Sequence, residues 1–291
     1  WHRSTAPDHN YVVGGALMRR RKRIPSPRRQ RKPRSLRVHQ LDTGLGSGNT
    51  GDDAMFIPAR ASLPPEFELT TEVHSLERAQ VLPRDVRYLK VDDRSAVEES
   101  ICSADLVLLV GDTPVNDAWG LEWPLRAIAG KLQLCHQLGK PVHALGVGVD
   151  RLKDPESLCI FRRSFLPIAS WSVRSEQCKR ALEEMGVSAD LVVVGADWTW
   201  LLDPKIDTGW AAAWLRDCGA RDSDVNIGVN LVNEVWQGNH EIKSAWAALL
   251  DRLAEKHGAQ VFFLCNESRA GSYFDMAAAE EVRARMRHPS V

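Results

Sequence analysis

The stretch VHQLDTGLGSGNTGDDAM, residues 38–55, decides how this sequence folds. A short apolar strand is followed by four glycines, an asparagine and two adjacent aspartates, and then by a segment that predicts a helix. Glycines allow positive backbone dihedrals and close approach of a ligand, and amide N–H groups near a helix N-terminus can bind an anion. The pattern therefore predicts a ligand-binding turn between a strand and a helix. The alternative is a tight connection that binds nothing.

The two common nucleotide-binding fingerprints do not match this turn. A P-loop requires Lys and then Ser or Thr after its last glycine, and Asp52 and Asp53 occupy those positions. The spacing of Gly44, Gly46 and Gly51 also differs from G-x-G-x-x-G. The turn alone therefore does not indicate which ligand it binds.

The residues that follow the turn alternate between short apolar runs and segments of helical period, which is typical of parallel strands joined by helices. We predict strands at residues 36–41, 105–110, 142–147, 171–173, 191–194, 227–231 and 261–265. The clearest helices are 176–185 and 241–256, each with one apolar stripe and a glycine shortly after its end. The predicted fold class is α/β.

A change of pattern between residues 203 and 224 predicts a domain boundary, because a tryptophan-containing helix at 210–218 lies there between polar segments. We predict an N-terminal Rossmann-like domain at 36–205, then a linker helix and a partial C-terminal Rossmann-like domain at 206–291. Roughly 65 residues follow position 226, whereas a doubly wound domain usually needs about 100 or more. The second domain is expected to be incomplete, and a first residue that is Trp rather than Met also favours a partial chain.

Composition narrows the class of protein. A chain of 291 residues with 44% hydrophobic residues can bury a large core. We find no run of about 18 apolar residues and no apolar segment typical of a secretory signal, so we expect a cytoplasmic protein. The six cysteines never form C-x-x-C, and neither a zinc site nor a disulfide framework is expected.

The zero net charge conceals a basic segment, RRRKRIPSPRRQRKPRSLR at residues 19–37, with eleven basic residues and no acidic one. Such a segment cannot bury apolar surface, so residues 1–35 are predicted to be a disordered basic tail. A solvated tail is the favoured interpretation. The alternative is an arm for nucleic acid or anionic lipid. We expect no nucleic-acid partner, and peripheral membrane contact is left open.

Ligands of open parallel sheets bind beyond the carboxyl ends of the strands. Four predicted strand ends combine glycine with a carboxylate or amide: the turn with Asn49, Asp52 and Asp53; residues 111–117 with Asp112 and Asn116; residues 146–150 with Gly148; and residues 195–197 with Asp197. Arg174, at the head of the predicted helix 176–185, could hold a carboxylate or phosphate, or form an ion pair with Glu176. Trp198 and Trp200 are expected to fill space between layers.

Residues 41–55, with GLGSGNTGDDAM, resemble the G-x-x-N-x-G-D-E/D-A opening of the polysaccharide pyruvyl transferase family. Four later segments match in the same order: 105–116 (DLVLLVGDTPVN), 144–150 (ALGVGVD), 172–186 (SVRSEQCKRALEEMG) and 194–197 (VGAD). The segment NIGVN at 226–230 is similar to the start of that family's second domain. The family's late Arg-x-His segment has no equivalent before residue 291.

The resemblance implies two facing Rossmann-like domains in a GT-B-like arrangement. It also implies transfer of pyruvate, as a ketal, from phosphoenolpyruvate to a sugar of a cell-surface polysaccharide. Phosphoenolpyruvate is then the donor substrate and a sugar or polysaccharide precursor the acceptor, with no cofactor and no metal. The alternatives are a nucleotide-sugar-dependent GT-B glycosyltransferase and a non-catalytic binding or interaction protein.

The resemblance and the strand-end pattern together give the candidate site residues. Candidates for base or sugar contact are Asp52, Asp53 and Asp197. Candidates for donor binding are Gly46, Gly48, Asn49, Gly51, Arg174 and Glu176. Other residues expected in the cleft are Asp112, Asn116 and Gly148.

The basic tail should be dispensable for stability. Deleting residues 1–34 should change the free energy of unfolding by less than about 1 kcal/mol, because the segment lacks the apolar side chains needed to join a core. Chemical denaturation of the full and shortened chains measures this. A larger loss in the shortened chain would show that the tail packs against the fold.

Overall fold

Seven parallel strands form the main sheet of the computed structural model, which describes residues 35–203, 207–220, 225–232, 238–269 and 274–288. The strands are β1 Leu36–Gln40, β2 Phe67–Val73, β3 Arg87–Lys90, β4 Leu106–Val110, β5 Val142–Val147, β6 Ser170–Val173 and β7 Val192–Val194. Their order is β3-β2-β1-β4-β5-β6-β7. The direction of winding therefore reverses between β1 and β4, the place where such sheets bind ligands.

Helices connect these strands and continue into the second part of the chain. They are α1 Thr50–Ser62, α2 Arg94–Ser103, α3 Ala127–Gln137, α4 Pro155–Ser164, α5 Glu176–Glu184, α6 Thr208–Asp217, α7 His240–His257 and α8 Asp275–Arg283. Short helical turns occupy Arg78–Val81, Glu122–Arg126, Ala189–Leu191 and Trp198–Leu201. Within the described ranges, no helix is both long and apolar enough to cross a bilayer.

A second, two-stranded parallel sheet pairs β8 Asn226–Val229 with β9 Gln260–Phe263. Its apolar core includes Val229, Leu250, Val261 and Ala278. The change from one sheet to the other lies in the region of the predicted domain boundary. The predicted domain limits themselves remain a prediction, and the basic tail lies outside the described residues.

The main sheet buries two apolar clusters. The larger one includes Ile128, Leu132, Phe161 and Trp171, contributed by α3, α4 and β6. The smaller one includes Phe56 of α1 with side chains of β1, β2 and β4. Burial of these clusters is the main favourable term for folding, since stabilisation scales with the apolar area removed from water.

The predicted α/β fold class is confirmed, and each predicted strand is present within two residues at either end. β2 and β3 were not predicted. β2 reads FELTTEV, and its Thr71 and Glu72 are fully buried although polar. The Glu72 carboxylate accepts a hydrogen bond from Lys131 Nζ and lies 3.3 Å from His39 Nε2. Because this buried charge has partners that are distant in sequence, hydrophobic patterning could not reveal the strand.

The expectation for the two tryptophans was correct for one of them. Trp198 packs against the smaller cluster and donates its Nε1–H to the Leu145 carbonyl at 2.9 Å. Trp200 is 82% exposed, so its predicted core position was wrong. The short helix Trp198–Leu201 explains the difference, because the two residues point in different directions on it.

Phe161→Ala should lower the free energy of unfolding by about 3 to 5 kcal/mol, the usual cost of truncating a fully buried aromatic side chain. Phe161 is fully buried, and its ring centre lies 5.9 Å from that of Phe165 and 6.4 Å from that of Trp171. Urea titration measures the change. Val193→Ala, on a strand residue that is 66% exposed, is the control and should cost less than about 0.5 kcal/mol.

Candidate functional site

The turn between β1 and α1, residues 42–49 and called here the glycine turn, is closed by hydrogen bonds to the side chains of Asp42 and Asp53. Asp42 Oδ1 accepts the Gly44 N–H at 2.9 Å, and Asp53 Oδ1 accepts the Gly46 N–H at 2.8 Å. These bonds fix the path of the turn. They also mean that the turn presents side-chain oxygens, more than free amides, to a ligand.

The start of α1 is set in the same way. Asn49 is the N-cap, and its Oδ1 accepts the Gly51 N–H at 2.9 Å. Asp52 then lies in the first turn of the helix, and its carboxyl packs against the bare backbone of Gly44. A β-carbon on Gly44, whose φ is +86°, would lie 2.4 Å from Asp52 Oδ2. Glycine at position 44 therefore makes the room that Asp52 occupies.

A cavity of about 530 Å³, called here the cleft, opens at the carboxyl edge of the main sheet. It lies beside the ends of β1, β2 and β4, and therefore at the point where the strand order reverses. Its lining residues are Gly44, Ser47, Asn49, Asp52, His74, Asp112, Trp119, Trp123, Arg269 and Phe274. Carboxyl, imidazole, indole and guanidinium groups thus face one space.

Asp52 and Asp112 are two carboxyl groups that line the same cleft. Burial raises the pKa of Asp52 to about 8, and the charges of Asp112 and Asp53 act in the same direction. Burial also raises the pKa of Asp112 to about 6, although the Thr113 N–H and nearby guanidinium groups oppose it. With its pKa raised to about 8, Asp52 can hold a proton at neutral pH and donate it to a ligand in the cleft.

The backbone of Asp112 is held in an unusual conformation. Its φ of +54° is left-handed, which few residues other than glycine adopt but which aspartate tolerates better than most. The Asp112 carbonyl accepts the Gly148 N–H at 2.6 Å. Gly148, which follows β5, thus helps to hold the Asp112 backbone in place.

Arg174 and Asp197 form a second polar group near the strand ends. Arg174 Nη1 lies 2.8 Å from Asp197 Oδ2, and Nη2 donates to Thr113 Oγ1. Burial tends to raise the pKa of Asp197, but hydrogen bonds from Thr199 and Arg174 outweigh it and lower the value. Arg174 thereby connects the residues that follow β4, β6 and β7. Its ion-pair partner is Asp197, whereas the sequence suggested Glu176.

The remaining candidates take several positions. Gly148 makes room for Arg174, because a β-carbon there would lie 2.2 Å from Nη2. Asn116 is buried and donates to the Thr113 carbonyl at 2.7 Å. Glu176 is exposed at the start of α5. Of the candidates, Asn49, Asp52 and Asp112 line the cleft, and the roles proposed for all of them remain predictions.

The loop after β9 docks on the glycine turn. Thr50 N–H donates to the Asn266 carbonyl, and Ser268 N–H donates to the Gly48 carbonyl, both at 2.9 Å. Arg78 Nη1 adds a hydrogen bond of 3.0 Å to Ser268 Oγ. The docked loop brings Arg269 to the cleft.

Arg269 has two further contacts that orient its guanidinium. Its Nη2 lies 2.5 Å from Glu267 Oε2, and its Cζ lies 4.4 Å from the centre of the Phe274 ring. The positive charge of Arg269 lowers the pKa of both Asp52 and Asp112, although less than burial raises it. The cleft therefore contains a cation beside its acidic pair.

Sequence reasoning missed five lining residues: His74, Trp119, Trp123, Arg269 and Phe274. His74 directly follows β2, which was not predicted. Arg269 follows a predicted strand, so the strand-end rule could have found it. The tryptophans lie in the long segment after β4, where no local pattern indicates that they turn back to the cleft.

Solved structures of other proteins are similar to this chain in fold. No protein-family model and no curated protein matches the chain. The chain is 12% identical to Anabaena HepE, solved in complex with UDP-glucose, with a TM-score of 0.52 over 86% of this chain and 66% of that one. It is 10% identical to the UDP-GlcNAc 2-epimerase of Methanocaldococcus jannaschii, with a TM-score of 0.52 over 85% and 68% of the two chains. At these identities the likeness concerns the α/β, GT-B-like fold. The chain spans about two thirds of the length of these neighbours.

Asp52→Asn should stabilise the protein at high pH. A carboxyl whose pKa is raised on folding binds more protons in the folded than in the unfolded state, so its contribution to stability falls as pH rises from about 4 to about 8. The variant should match the wild type near pH 4. It should exceed the wild type by about 1 to 3 kcal/mol at pH 9, the scale of a poorly compensated buried polar group.

Denaturation at several pH values tests this expectation. Asp92→Asn is the matched control, because the Asp92 side chain is 75% exposed and should give no growing difference. An Asp52→Asn variant that is less stable than the wild type at pH 9 would contradict the assignment of a buried, protonated carboxyl.

Proposed function

We propose that this chain belongs to a sugar-modifying enzyme that transfers a group from an activated, phosphate-bearing donor to a sugar hydroxyl. The carboxyl pair of Asp52 and Asp112 carries the proposal, because it supplies a proton donor at neutral pH inside a concave site. A pair whose members titrate apart is the arrangement by which enzymes separate proton-donating and ionised carboxyl roles.

The cleft suits a sugar for a second reason. Trp119 and Trp123 give it aromatic surface, and Asn49 with the carboxyl pair gives it hydrogen-bonding oxygens. A pyranose has apolar C–H faces and polar edges, so it requires both kinds of contact. Arg269 places a positive charge where a donor phosphate could be held.

We take a nucleotide-sugar as the first candidate donor. The solved structures with this fold include HepE bound to UDP-glucose and a UDP-GlcNAc 2-epimerase from Neisseria meningitidis bound to UDP-GlcNAc. That epimerase is 12% identical to this chain, with a TM-score of 0.50 over 88% of this chain and 73% of the epimerase. This support is analogy of fold, and it does not specify the reaction. In the transfer, Asp52 would donate its proton to the leaving phosphate oxygen as the bond to the anomeric carbon breaks.

Pyruvyl transfer from phosphoenolpyruvate is the second candidate. One observation favours it: Gly51, Asp52 and Asp53 of the resembling motif form the helix start beside the cleft. In this reaction Asp52 would protonate the methylene carbon. One sugar hydroxyl would then add to the resulting electrophilic carbon, phosphate would leave with the bonding electron pair, and a second hydroxyl would take its place. Of the two hydroxyl protons released, one replaces the proton given by Asp52 and the other goes to the phosphate.

The donor can be identified with the full chain. UDP-glucose and phosphoenolpyruvate are each titrated by calorimetry and then incubated with a panel of saccharides, and products are detected by mass spectrometry. A hexosyl mass increment supports the first candidate, and a pyruvyl ketal increment supports the second. Failure of both donors to bind would contradict the proposed function.

Asp52→Asn should reduce kcat by about 100-fold or more while changing KM by less than about threefold, because it removes a proton donor and keeps the shape of the side chain. The same variant should be at least as stable as the wild type at neutral pH. Asp92→Asn is again the control and should retain full activity, since its carboxylate lies outside the cleft. Retained activity in Asp52→Asn would exclude the acid role.

A further inference from the structure

A histidine on the wall of the cleft faces a buried carboxylate. His74 directly follows β2, and its side chain is 35% exposed. Its Nε2 lies 3.3 Å from Asp42 Oδ2, and the side chain of Asp42 is only 3% exposed. A partly exposed imidazole backed by a buried carboxylate is the arrangement that orients a base in many enzymes.

Asp42 is held rigidly on its other sides. Its Oδ1 accepts the Gly44 N–H at 2.9 Å, which leaves Oδ2 for the histidine. Its own N–H donates to Glu72 Oε1 at 3.4 Å, and Glu72 is fully buried and paired with Lys131. Asp42 is thus bonded both within the glycine turn and to the buried Glu72 of the sheet. These bonds hold its carboxylate towards His74.

His74 is also fixed in place. Its backbone N–H donates to the Leu45 carbonyl at 2.9 Å. The ring centres of His74 and Trp123 lie 5.9 Å apart, and the two ring planes are nearly perpendicular, at 83°. These contacts hold the ring between Asp42 and the open space of the cleft, which both His74 and Trp123 line.

We propose that His74 is the catalytic base of the cleft and that Asp42 is its positioning residue. The inference rests on the proposed function, in which Asp52 is the acid and the base was unassigned. The hydroxyl O–H bond of the acceptor breaks and its proton passes to the imidazole. The oxygen forms a bond to the donor carbon, and the bond from that carbon to phosphate breaks with its electron pair on the leaving group. Asp42 stabilises the imidazolium that results.

The activity arm uses whichever of UDP-glucose and phosphoenolpyruvate the wild type turns over. His74→Ala should lower kcat by about 100-fold or more with KM within about threefold, and added imidazole should restore at least about tenfold of the loss. His257→Ala, at the exposed end of α7, should behave as the wild type and should not respond to imidazole. Wild-type kcat in His74→Ala, or a loss that imidazole leaves unchanged, would overturn the proposal.

The second arm needs no substrate. Nitrogen-15 NMR of the full chain should show the His74 ring with its proton fixed on Nε2, facing Asp42, and Asp42→Asn should abolish that preference. Because Asp42 is buried, His74→Gln is the companion variant if Asp42→Asn does not fold; it should fold, be as slow as His74→Ala, and lack the imidazole signals assigned to His74. If no donor reacts, the proposed function fails. The pairing of His74 with Asp42 is then tested by this spectrum alone, and a ring that exchanges freely between tautomers would overturn it.

Discussion

The hydrogen bonds from the glycine turn to the carboxylates of Asp42 and Asp53 are the constraint on which the rest of the site depends. Asp42 and Asp53 each accept an amide N–H of the turn, and Asn49 caps the helix that follows. This closed turn places Asp52 at the cleft. It also offers the Gly48 carbonyl to the loop after β9. One local set of hydrogen bonds therefore positions Asp52 and provides the surface against which the loop that carries Arg269 packs.

The electrostatics of the cleft follow from burial more than from any single ion pair. Asp52 and Asp112 share a space from which water is partly excluded, so both cannot ionise at low cost. Arg269 opposes this effect but does not reverse it. Arg174, in contrast, is engaged by Asp197 and Thr113, and these partners lower the pKa of Asp197. Aspartates at the same sheet edge thus have pKa values shifted in opposite directions, upward for Asp52 and Asp112 and downward for Asp197, because their neighbours differ.

Much of the fold could be predicted because parallel strands buried on both faces are apolar over their whole length. LVLLV at β4 and VVV at β7 illustrate this signal. β2 escaped prediction because the polar residues Thr71 and Glu72 lie at fully buried positions, and burial of the Glu72 carboxylate is favourable only with Lys131 and His39 beside it. Missing β2 also meant missing His74, since the strand-end rule could not be applied to a strand that was not recognised.

The sequence by itself determined the α/β class, the glycine turn and the presence of Asp52 and Asp112 at strand ends, because these depend on local periodicity and on the chain direction in parallel sheets. Only the tertiary structure decided which of these groups share a cleft. Arg269 lines the same cleft as Asp52 although it lies more than 200 positions later in the chain. His74 follows β2 and lies beside Asp42, which follows the neighbouring strand β1. Protonation states depend on distances and burial of this kind. Such distances and burial cannot be read from residue types and their spacing along the chain, because they depend on contacts between segments that are far apart in sequence.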